Sequence, residues 1–154
     1  MGKIVGGFWV PHDPVMFVAP NAPEAKQRDA VWAAYGQCAE RLAALEPTTV
    51  IIVGCDHYIL FGTHCLPRYV IGPGDVDGPI DRLPGLERGP ISNHEALAEH
   101  IVEHGEAEGI DWTVARSFTV DHSFSIPHQL IVKPAEQRLG RELPSIPVYL
   151  ACGV

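Results

Sequence analysis

The sequence predicts an α/β fold, in which a central and largely parallel sheet forms the middle of three αβα layers. Short apolar runs rich in β-branched residues indicate strands. They alternate with longer segments whose apolar residues recur every three or four positions, as in helices. Strands separated by a helix in this way favour parallel pairing. The main apolar runs cover residues 4–10, 49–55, 112–120 and 146–151.

Length and charge narrow the class of protein. The chain has 154 residues, enough for one domain with a hydrophobic core. Its net charge of −8 disfavours nucleic acid and acidic membranes as partners, because phosphate binding needs a basic surface. No apolar run approaches the ~18 residues of a membrane span. The cysteines lack CxxC spacing and we find no signal-peptide pattern, so we expect reduced thiols in a cytoplasmic protein.

The first half of the chain predicts a strand, a helix and a second strand. Residues 4–10 form the first apolar run, after which two prolines keep His12 and its neighbours out of a helix. Asn21 is suited to cap the helix that follows, which we predict to continue to about residue 45, where a proline ends it. The strand at 49–55 comes after a very short connection. This order predicts a βαβ unit with a parallel pair.

The second half begins with a short strand at 68–71 inside a Gly- and Pro-rich region, residues 61–89, that predicts a long irregular loop. Ser92 and Glu95 have the spacing of a capping box, which predicts a helix that closes near Gly105. A strand at 112–120 and a short helix within 125–132 follow.

The last apolar run, residues 146–151, ends close to the final residue of the chain. Its uniformly apolar character predicts a strand buried on both faces. A buried strand needs neighbours and covering layers. We therefore expect an interior strand in a sheet that is incomplete in this chain.

Three histidines follow apolar runs directly and are the candidate functional residues: His12, His57 and His122. In open α/β sheets, ligand sites lie at the carboxyl ends of the strands, so these side chains should converge. Neutral imidazole binds Fe(II), Zn²⁺ and other first-row metals. Asp56 and Asp121 precede two of the histidines, where they could orient the rings or simply cap the following turn. A single histidine of this kind is more often a hydrogen-bonded residue at a sheet edge, but three at equivalent strand ends, two of them preceded by Asp, favour a metal site.

Three stretches carry a resemblance to a known family. Residues 53–61 (VGCDHYILF) and 120–127 (VDHSFSIP) resemble the two signature stretches of the class III extradiol ring-cleavage dioxygenases. This is the family of the protocatechuate 4,5-dioxygenase catalytic subunit. Residues 9–12 (WVPH) are similar to the segment that holds its first metal ligand. The resemblance implies that residues 1–154 are the N-terminal part of a single catalytic domain of this kind.

The resemblance also implies roles for individual residues. His12 and His57 would be the two histidine ligands of Fe(II), and His122 would assist proton transfer or substrate binding. The family's third ligand, a Glu, and its second acid-base histidine belong to a C-terminal half that this chain does not contain. His128 stands where many relatives carry an apolar residue. Asp56, Asp121 and His128 are therefore expected near the substrate or behind the ligands, although His128 could also be an ordinary helix-end histidine.

The implied reaction is the O2-dependent opening of the ring of a catechol-type substrate, in a homo-oligomer or with a small accessory subunit. Two alternatives use the same residues. One is a non-catalytic fragment, or one completed by a partner, and the other is a zinc hydrolase. His100 and His104 are spaced to bind a metal from one helix, but Glu99 and Glu103 beside them favour a solvated face.

Overall fold

The computed structural model describes residues 2–151. The helices are α1 (Val15–Val18), α2 (Ala25–Ala44), α3 (Glu95–Ala107), α4 (His122–Pro127) and α5 (Lys133–Leu139). The strands are β1 (Val50–Asp56), β2 (Tyr69–Ile71), β3 (Asp75–Gly78), β4 (Gly89–Ile91), β5 (Trp112–Val114), β6 (Ser117–Thr119) and β7 (Ser145–Ala151). A π-helical turn, His128–Val132, joins α4 to α5.

A four-stranded sheet in the order β1-β7-β2-β5 forms the centre of the fold. β1 and β7 are parallel along their whole length, with Val50 opposite Ser145 and Asp56 opposite Ala151. β2 and β5 are also parallel, whereas β2 and β7 are antiparallel. Two of the three pairings are thus parallel, which confirms the predicted, largely parallel sheet.

Helices cover both faces of this sheet and confirm the three-layer α/β class. On one face Tyr35, Ala39 and Leu42 of α2 join a cluster that includes Ile52 and Tyr149. On the other face α3 packs through its own apolar residues against β2 and β7. That second cluster contains Ile71, Ala98, Val102, Ile146 and Val148. Alternating side chains of β7 thus enter two different cores, as the two-residue period of a strand requires.

The predicted strand at residues 4–10 is wrong, and so is the βαβ unit built on it. This segment has no strand pairing; Ile4 is 92% exposed and Trp9 is 101% exposed. An apolar run becomes a strand only when a sheet edge receives its backbone groups, and β7 occupies the parallel position beside β1. The two glycines within the run also weaken its strand propensity.

Both predicted helix starts lie upstream of the observed ones. α2 begins at Ala25, and the Asn21 side chain instead accepts a hydrogen bond from Arg28 Nη1 at 3.0 Å. α3 begins at Glu95 and is capped by His94, whose Nδ1 accepts from the Leu97 N–H at 3.2 Å. The cap therefore comes from the imidazole and not from the predicted capping box.

The region predicted as an irregular loop contains β3 and ends at the first residue of β4; these two strands form a second sheet with β6 in the order β4-β3-β6. The predicted strand at 112–120 is divided between the two sheets, since β5 joins the first and β6 the second. The backbone at residue 74 comes close to residue 116, between β5 and β6. Residue 74 is a glycine, and a Cβ at this position would clash with the carbonyl oxygen of Arg116. Such strands are too short for a clear sequence pattern.

The C-terminal elements follow the sequence more closely. The predicted short helix at 125–132 is the middle of a longer helical segment that runs from α4 through the π-turn into α5. β7 is paired on both sides, which confirms an interior strand at 146–151.

Cys152 lies outside the described residues, and no disulfide joins the cysteines within them. In the part of the chain that is described, no helix has the length and apolarity to cross a membrane.

Candidate metal centre

The three candidate histidines converge at the carboxyl end of β1. His12 comes from the irregular N-terminal segment, His57 follows β1, and His122 opens α4. His12 Nε2 and His57 Nε2 are 3.3 Å apart. The ring of His57 lies 5.0 Å from each of the other two rings between centroids, and it stacks on that of His122. One potential ligand atom from each residue lies within 4.8 Å of the others.

His12 is held in place without a strand. The Tyr35 hydroxyl of α2 donates a hydrogen bond to the carbonyl of Pro11, the residue before it. Asp13, the residue after it, accepts the N–H of Val15 at 2.9 Å and so fixes the start of α1. The pKa of His12 is lowered, first by burial and then by the neighbouring imidazoles of His57 and His122. A neutral His12 is the form that can bind a metal.

Asp56 shapes the loop that carries His57. Its buried carboxylate accepts the backbone N–H groups of Ile59, Leu60 and Phe61 at 3.0–3.2 Å. These bonds are those of a residue that caps a turn, which was one of the two roles the sequence left open. Asp56 therefore acts on His57 through the backbone that follows it.

Asp121 is fully buried and lies between two of the imidazoles. Its Oδ1 accepts from Ser123, through both the backbone N–H and the hydroxyl, and from the Tyr149 hydroxyl. Its Oδ2 lies 3.8 Å from His57 Nδ1 and 4.0 Å from His122 Nδ1. This oxygen has no hydrogen-bond partner among the described residues. A buried carboxylate oxygen without a partner is costly, so this atom is a candidate to face a bound cation or a protonated imidazole.

Asp81 is the site residue that sequence reasoning missed. Its Oδ2 accepts the backbone N–H of His122 at 2.6 Å and lies 3.2 Å from His122 Nδ1. Asp81 belongs to the Gly- and Pro-rich region and directly follows no predicted strand or motif. Only the length of that region suggested a function, and length alone cannot select one residue within it.

The arrangement fits a metal ion. Two imidazole nitrogens that bind one ion at ~2.0–2.1 Å each can lie no more than about 4.2 Å apart. The two Nε2 atoms are 3.3 Å apart, within this limit. Two groups of three potential ligands occur among the described residues. One is His12, His57 and His122; the other is Asp81, Asp121 and His122. Imidazoles together with carboxylates suit first-row transition metals.

The remaining histidines lie elsewhere. His128 is buried and stacks on Phe124 with ring centroids 5.7 Å apart. Burial, and then the charge of Lys133, lower its pKa to about 4. His100 and His104 stack on each other along α3, and among the described residues neither belongs to a three-ligand group. Their neighbour Glu99 pairs with Arg116 at the surface, as expected for a solvated face.

The fold and the cluster together define an α/β protein with a candidate histidine metal centre at the end of its central sheet. The sequence model of the LigB family, described as the catalytic LigB subunit of aromatic ring-opening dioxygenase, matches residues 6–152. The chain therefore belongs to the LigB family, which agrees with the resemblance carried by its three histidine-containing stretches.

Named relatives are similar to most of this chain. A 2,3-dihydroxyphenylpropionate/2,3-dihydroxicinnamic acid 1,2-dioxygenase of Photorhabdus laumondii is 29% identical over 143 residues, which cover 92% of this chain and 41% of the relative. An enzyme of the same name from Pseudomonas putida is 29% identical over 141 residues, covering 90% of this chain and 41% of the relative. The chain thus spans about two fifths of the length of these relatives.

Proposed function

We propose that this chain forms part of an Fe(II)-dependent extradiol dioxygenase that opens the ring of a catechol-type substrate with O2. The observation that carries the proposal is the convergence of His12, His57 and His122 in a member of the LigB family. Both curated relatives compared above are named as dioxygenases of dihydroxylated aromatic acids. Such an enzyme would work in the cytoplasm, as the sequence predicts.

His12 and His57 would hold the metal, which when bound would bring the substrate oxygens and O2 together. The lowered pKa of His12 keeps its imidazole available as a ligand near neutral pH. The buried carboxylate of Asp121 would offset part of the positive charge that a divalent ion brings to this site.

His122 is the proposed proton-transfer residue. The carboxylate of Asp81 near its Nδ1 favours the tautomer with the proton on Nδ1, so that Nε2 is the basic nitrogen. Because Asp81 also binds the backbone N–H of His122, the ring is fixed from two directions. A histidine held in this way can take a proton from a bound hydroxyl group and return it later.

The chain would be the N-terminal part of one catalytic domain, in which a further polypeptide segment completes the site. The uncovered surface of β1 supports this proposal. Ile51, Val53 and Leu150 lie on the same face of the sheet as the α3 core, yet they are 48%, 61% and 44% exposed. β1 is also an edge strand of the described sheet. An exposed apolar face beside an open strand edge is typical of a surface that another segment covers.

Metal binding and turnover test the proposal separately. The chain is loaded with Fe(II) or Zn²⁺ without oxygen, and bound metal is counted by mass spectrometry for wild type, His12→Ala and His57→Ala. His64→Ala, which alters an exposed histidine outside the cluster, is the control. We expect one ion in wild type and in the control, and its loss in both ligand variants.

Under this proposal, turnover requires a protein that also contains the completing segment. Oxygen uptake with a catechol-type acid, and a product heavier by both oxygen atoms of O2, would support the dioxygenase. Hydrolytic activity with Zn²⁺, or a completed protein without metal and without turnover, would contradict it.

A further inference from the structure

The two ring nitrogens of His57 face different groups. Nε2 lies 3.3 Å from Nε2 of His12, on the side of the proposed metal site. Nδ1 lies 3.8 Å from Oδ2 of Asp121. A neutral histidine that binds a metal through one nitrogen carries its proton on the other, and the group beside that second nitrogen sets the tautomer and the orientation of the ring. Asp121 occupies this position beside His57.

The carboxylate of Asp121 has one oxygen that is held by hydrogen bonds and one that is unpaired. Oδ1 accepts from the backbone N–H and the hydroxyl of Ser123, at 2.9 and 2.6 Å, and from the Tyr149 hydroxyl at 2.8 Å. Oδ2 is buried and has no hydrogen-bond partner among the described residues. The carboxylate cannot turn to exchange its oxygens without breaking the bonds to Oδ1, so Oδ2 stays directed at the imidazoles.

His122 has a closer partner than Asp121, although it directly follows Asp121 in the sequence. Its Nδ1 lies 4.0 Å from Oδ2 of Asp121 but 3.2 Å from Oδ2 of Asp81. A neutral imidazole carries one N–H, which donates best to the nearer carboxylate. Asp81 therefore pairs with His122, and the unpaired oxygen of Asp121 is left for His57. The order of the residues in the chain does not reveal this pairing.

A glycine in β1 makes room for the side chains that hold Asp121. A Cβ at Gly54 would lie 2.5 Å from the hydroxyl oxygen of Ser123 and 3.4 Å from Cε1 of Tyr149. The first distance is far below van der Waals contact, so any larger residue at this position would displace Ser123 or the strand. The close approach ties the strand that leads to His57 to the first turn of α4, where Asp121 is the cap.

We propose that Asp121 is the positioning residue of His57. The charge on its Oδ2 favours the tautomer with the proton on Nδ1, and this tautomer leaves Nε2 unprotonated on the side of His12. The consequence for metal binding rests on the proposed function, in which His57 is a ligand, whereas the choice of tautomer does not. Carboxylates behind a ligand imidazole typically contribute about 10–100-fold to metal affinity.

The tautomer is measured without metal, oxygen or turnover. The 154-residue chain, stripped of metal and carrying ¹⁵N-labelled histidine, is observed at about pH 8, where an ordinary imidazole is neutral. His57→Gln and His122→Gln assign the ring resonances. We expect His57 to carry its proton on Nδ1 in the wild type. A wild-type chain with this proton on Nε2 would overturn the proposal, and that outcome does not depend on whether any further variant folds.

Two substitutions assign the tautomer of His57 to its partner. In Asp121→Asn the amide oxygen can keep the donors that hold Oδ1, which turns the NH2 group toward His57. An N–H aimed at Nδ1 should make the Nε2–H tautomer of His57 predominate. Asp81→Asn should change the tautomer of His122 and leave that of His57 as in the wild type. A His57 tautomer that is unchanged in Asp121→Asn, or that responds equally to Asp81→Asn, would overturn the proposal.

Metal affinity separates this proposal from the proposed function. Fe(II) titrations without oxygen compare the wild type with Asp121→Asn, with Gly54→Ala, and with Asp77→Asn, an exposed carboxylate of β3. We expect affinity to fall about 10–100-fold in Asp121→Asn and to stay unchanged in Asp77→Asn. Gly54→Ala should also weaken binding, because the added methyl group displaces Ser123.

The two proposals fail in different ways. If the wild type binds one ion and Asp121→Asn binds it equally well, Asp121 does not position a metal ligand and the present proposal is overturned. If the wild type binds no ion while the tautomer of His57 responds to Asp121→Asn as expected, the proposed function fails and the positioning of His57 by Asp121 is supported.

Discussion

Tyr149 and Asp121 exchange two hydrogen bonds across the core. The Tyr149 hydroxyl donates to Asp121 Oδ1 at 2.8 Å and accepts the Asp121 backbone N–H at 3.0 Å. Both residues are 0% exposed. The pair ties the central strand β7 to the start of α4, where His122 lies. It also aims the second carboxylate oxygen of Asp121 at the imidazoles of His57 and His122.

Tyr149→Phe should lower both stability and metal affinity. The substitution leaves a buried carboxylate and a buried N–H each short of one partner, which costs about 1–3 kcal/mol. The free energy of unfolding in urea measures the first effect, and Fe(II) titration measures the second. Tyr58→Phe, at an exposed tyrosine next to His57, is the control. If Tyr149→Phe matched wild type in both measurements, the pair would have no part in holding Asp121.

The three histidines should respond differently to removal. His12→Ala and His57→Ala should abolish binding of Fe(II), because each removes a proposed ligand. His122→Ala in the complete enzyme should retain the metal but lower kcat by ~10²–10⁴-fold, as expected for a lost general acid or base. Metal content and steady-state kinetics measure these effects. Loss of metal from His122→Ala would show that His122 is a third ligand. Its distance from His12 and His57 also permits that role.

Asp81→Asn tests whether Asp81 selects the tautomer of His122. The substitution keeps nearly the same side-chain shape but removes the carboxylate charge that favours the proton on Nδ1 of His122. We expect a larger fraction of the Nε2–H tautomer, measured by ¹⁵N spectroscopy of the histidine rings, together with a lower kcat. Asp77→Asn, at an exposed residue of β3, should change neither quantity. A tautomer ratio equal to that of wild type would mean that Asp81 acts on His122 only through its hydrogen bond with the backbone N–H.

Stability should fall as the pH drops from about 6.5 to 4, in part because of His128. Burial lowers the pKa of this residue in the folded state to about 4 from the usual 6.5. Below pH 6.5 the unfolded chain binds a proton that the folded chain does not, so folding loses about 1.4 kcal/mol per pH unit in this window. The contribution is complete above pH 6.5. His12, whose pKa is also lowered, acts in the same direction.

His128→Gln separates the contribution of His128 to the pH dependence of stability from that of His12. Unfolding free energies are measured in urea at pH 7.5 and pH 5 for wild type and variant. The decrease between the two pH values should be smaller in the variant, because glutamine does not bind a proton. Equal decreases in the two proteins would show that His128 titrates in the folded state as it does in the unfolded chain.

The sequence was sufficient for features with a strong local pattern, and insufficient where tertiary contacts decide. β1, α2 and β7 carry long apolar runs or stripes and were predicted to within a few residues. The convergence of His12 and His57 also followed from the sequence, although His12 is placed by the Tyr35 contact rather than by a strand. Asp81 could not be predicted, because its role depends on a loop that no local pattern brings to His122.

The exposed face of β1 gives a last prediction, which concerns the segment proposed to complete the domain. Val53 and Val148 are register partners on one face of the sheet, but Val53 is 61% exposed whereas Val148 is 8% exposed. Val148→Asp should destabilise the 154-residue chain by roughly 3 kcal/mol or more, because it buries an unpaired charge. Val53→Asp should change its stability by less than about 0.5 kcal/mol.

A protein that includes the proposed completing segment should reverse the result at Val53. If a further segment covers β1, Val53→Asp would there bury a charge and destabilise the whole domain as strongly as Val148→Asp does. Hydrogen exchange provides an independent measurement, since the amides of β1 on its open edge should gain protection in the longer protein. A longer protein that tolerates Val53→Asp, and in which β1 exchanges as fast as in the 154-residue chain, would show that this face stays uncovered. Any metal ligand that such a segment supplies would then have to reach His12 and His57 from another direction.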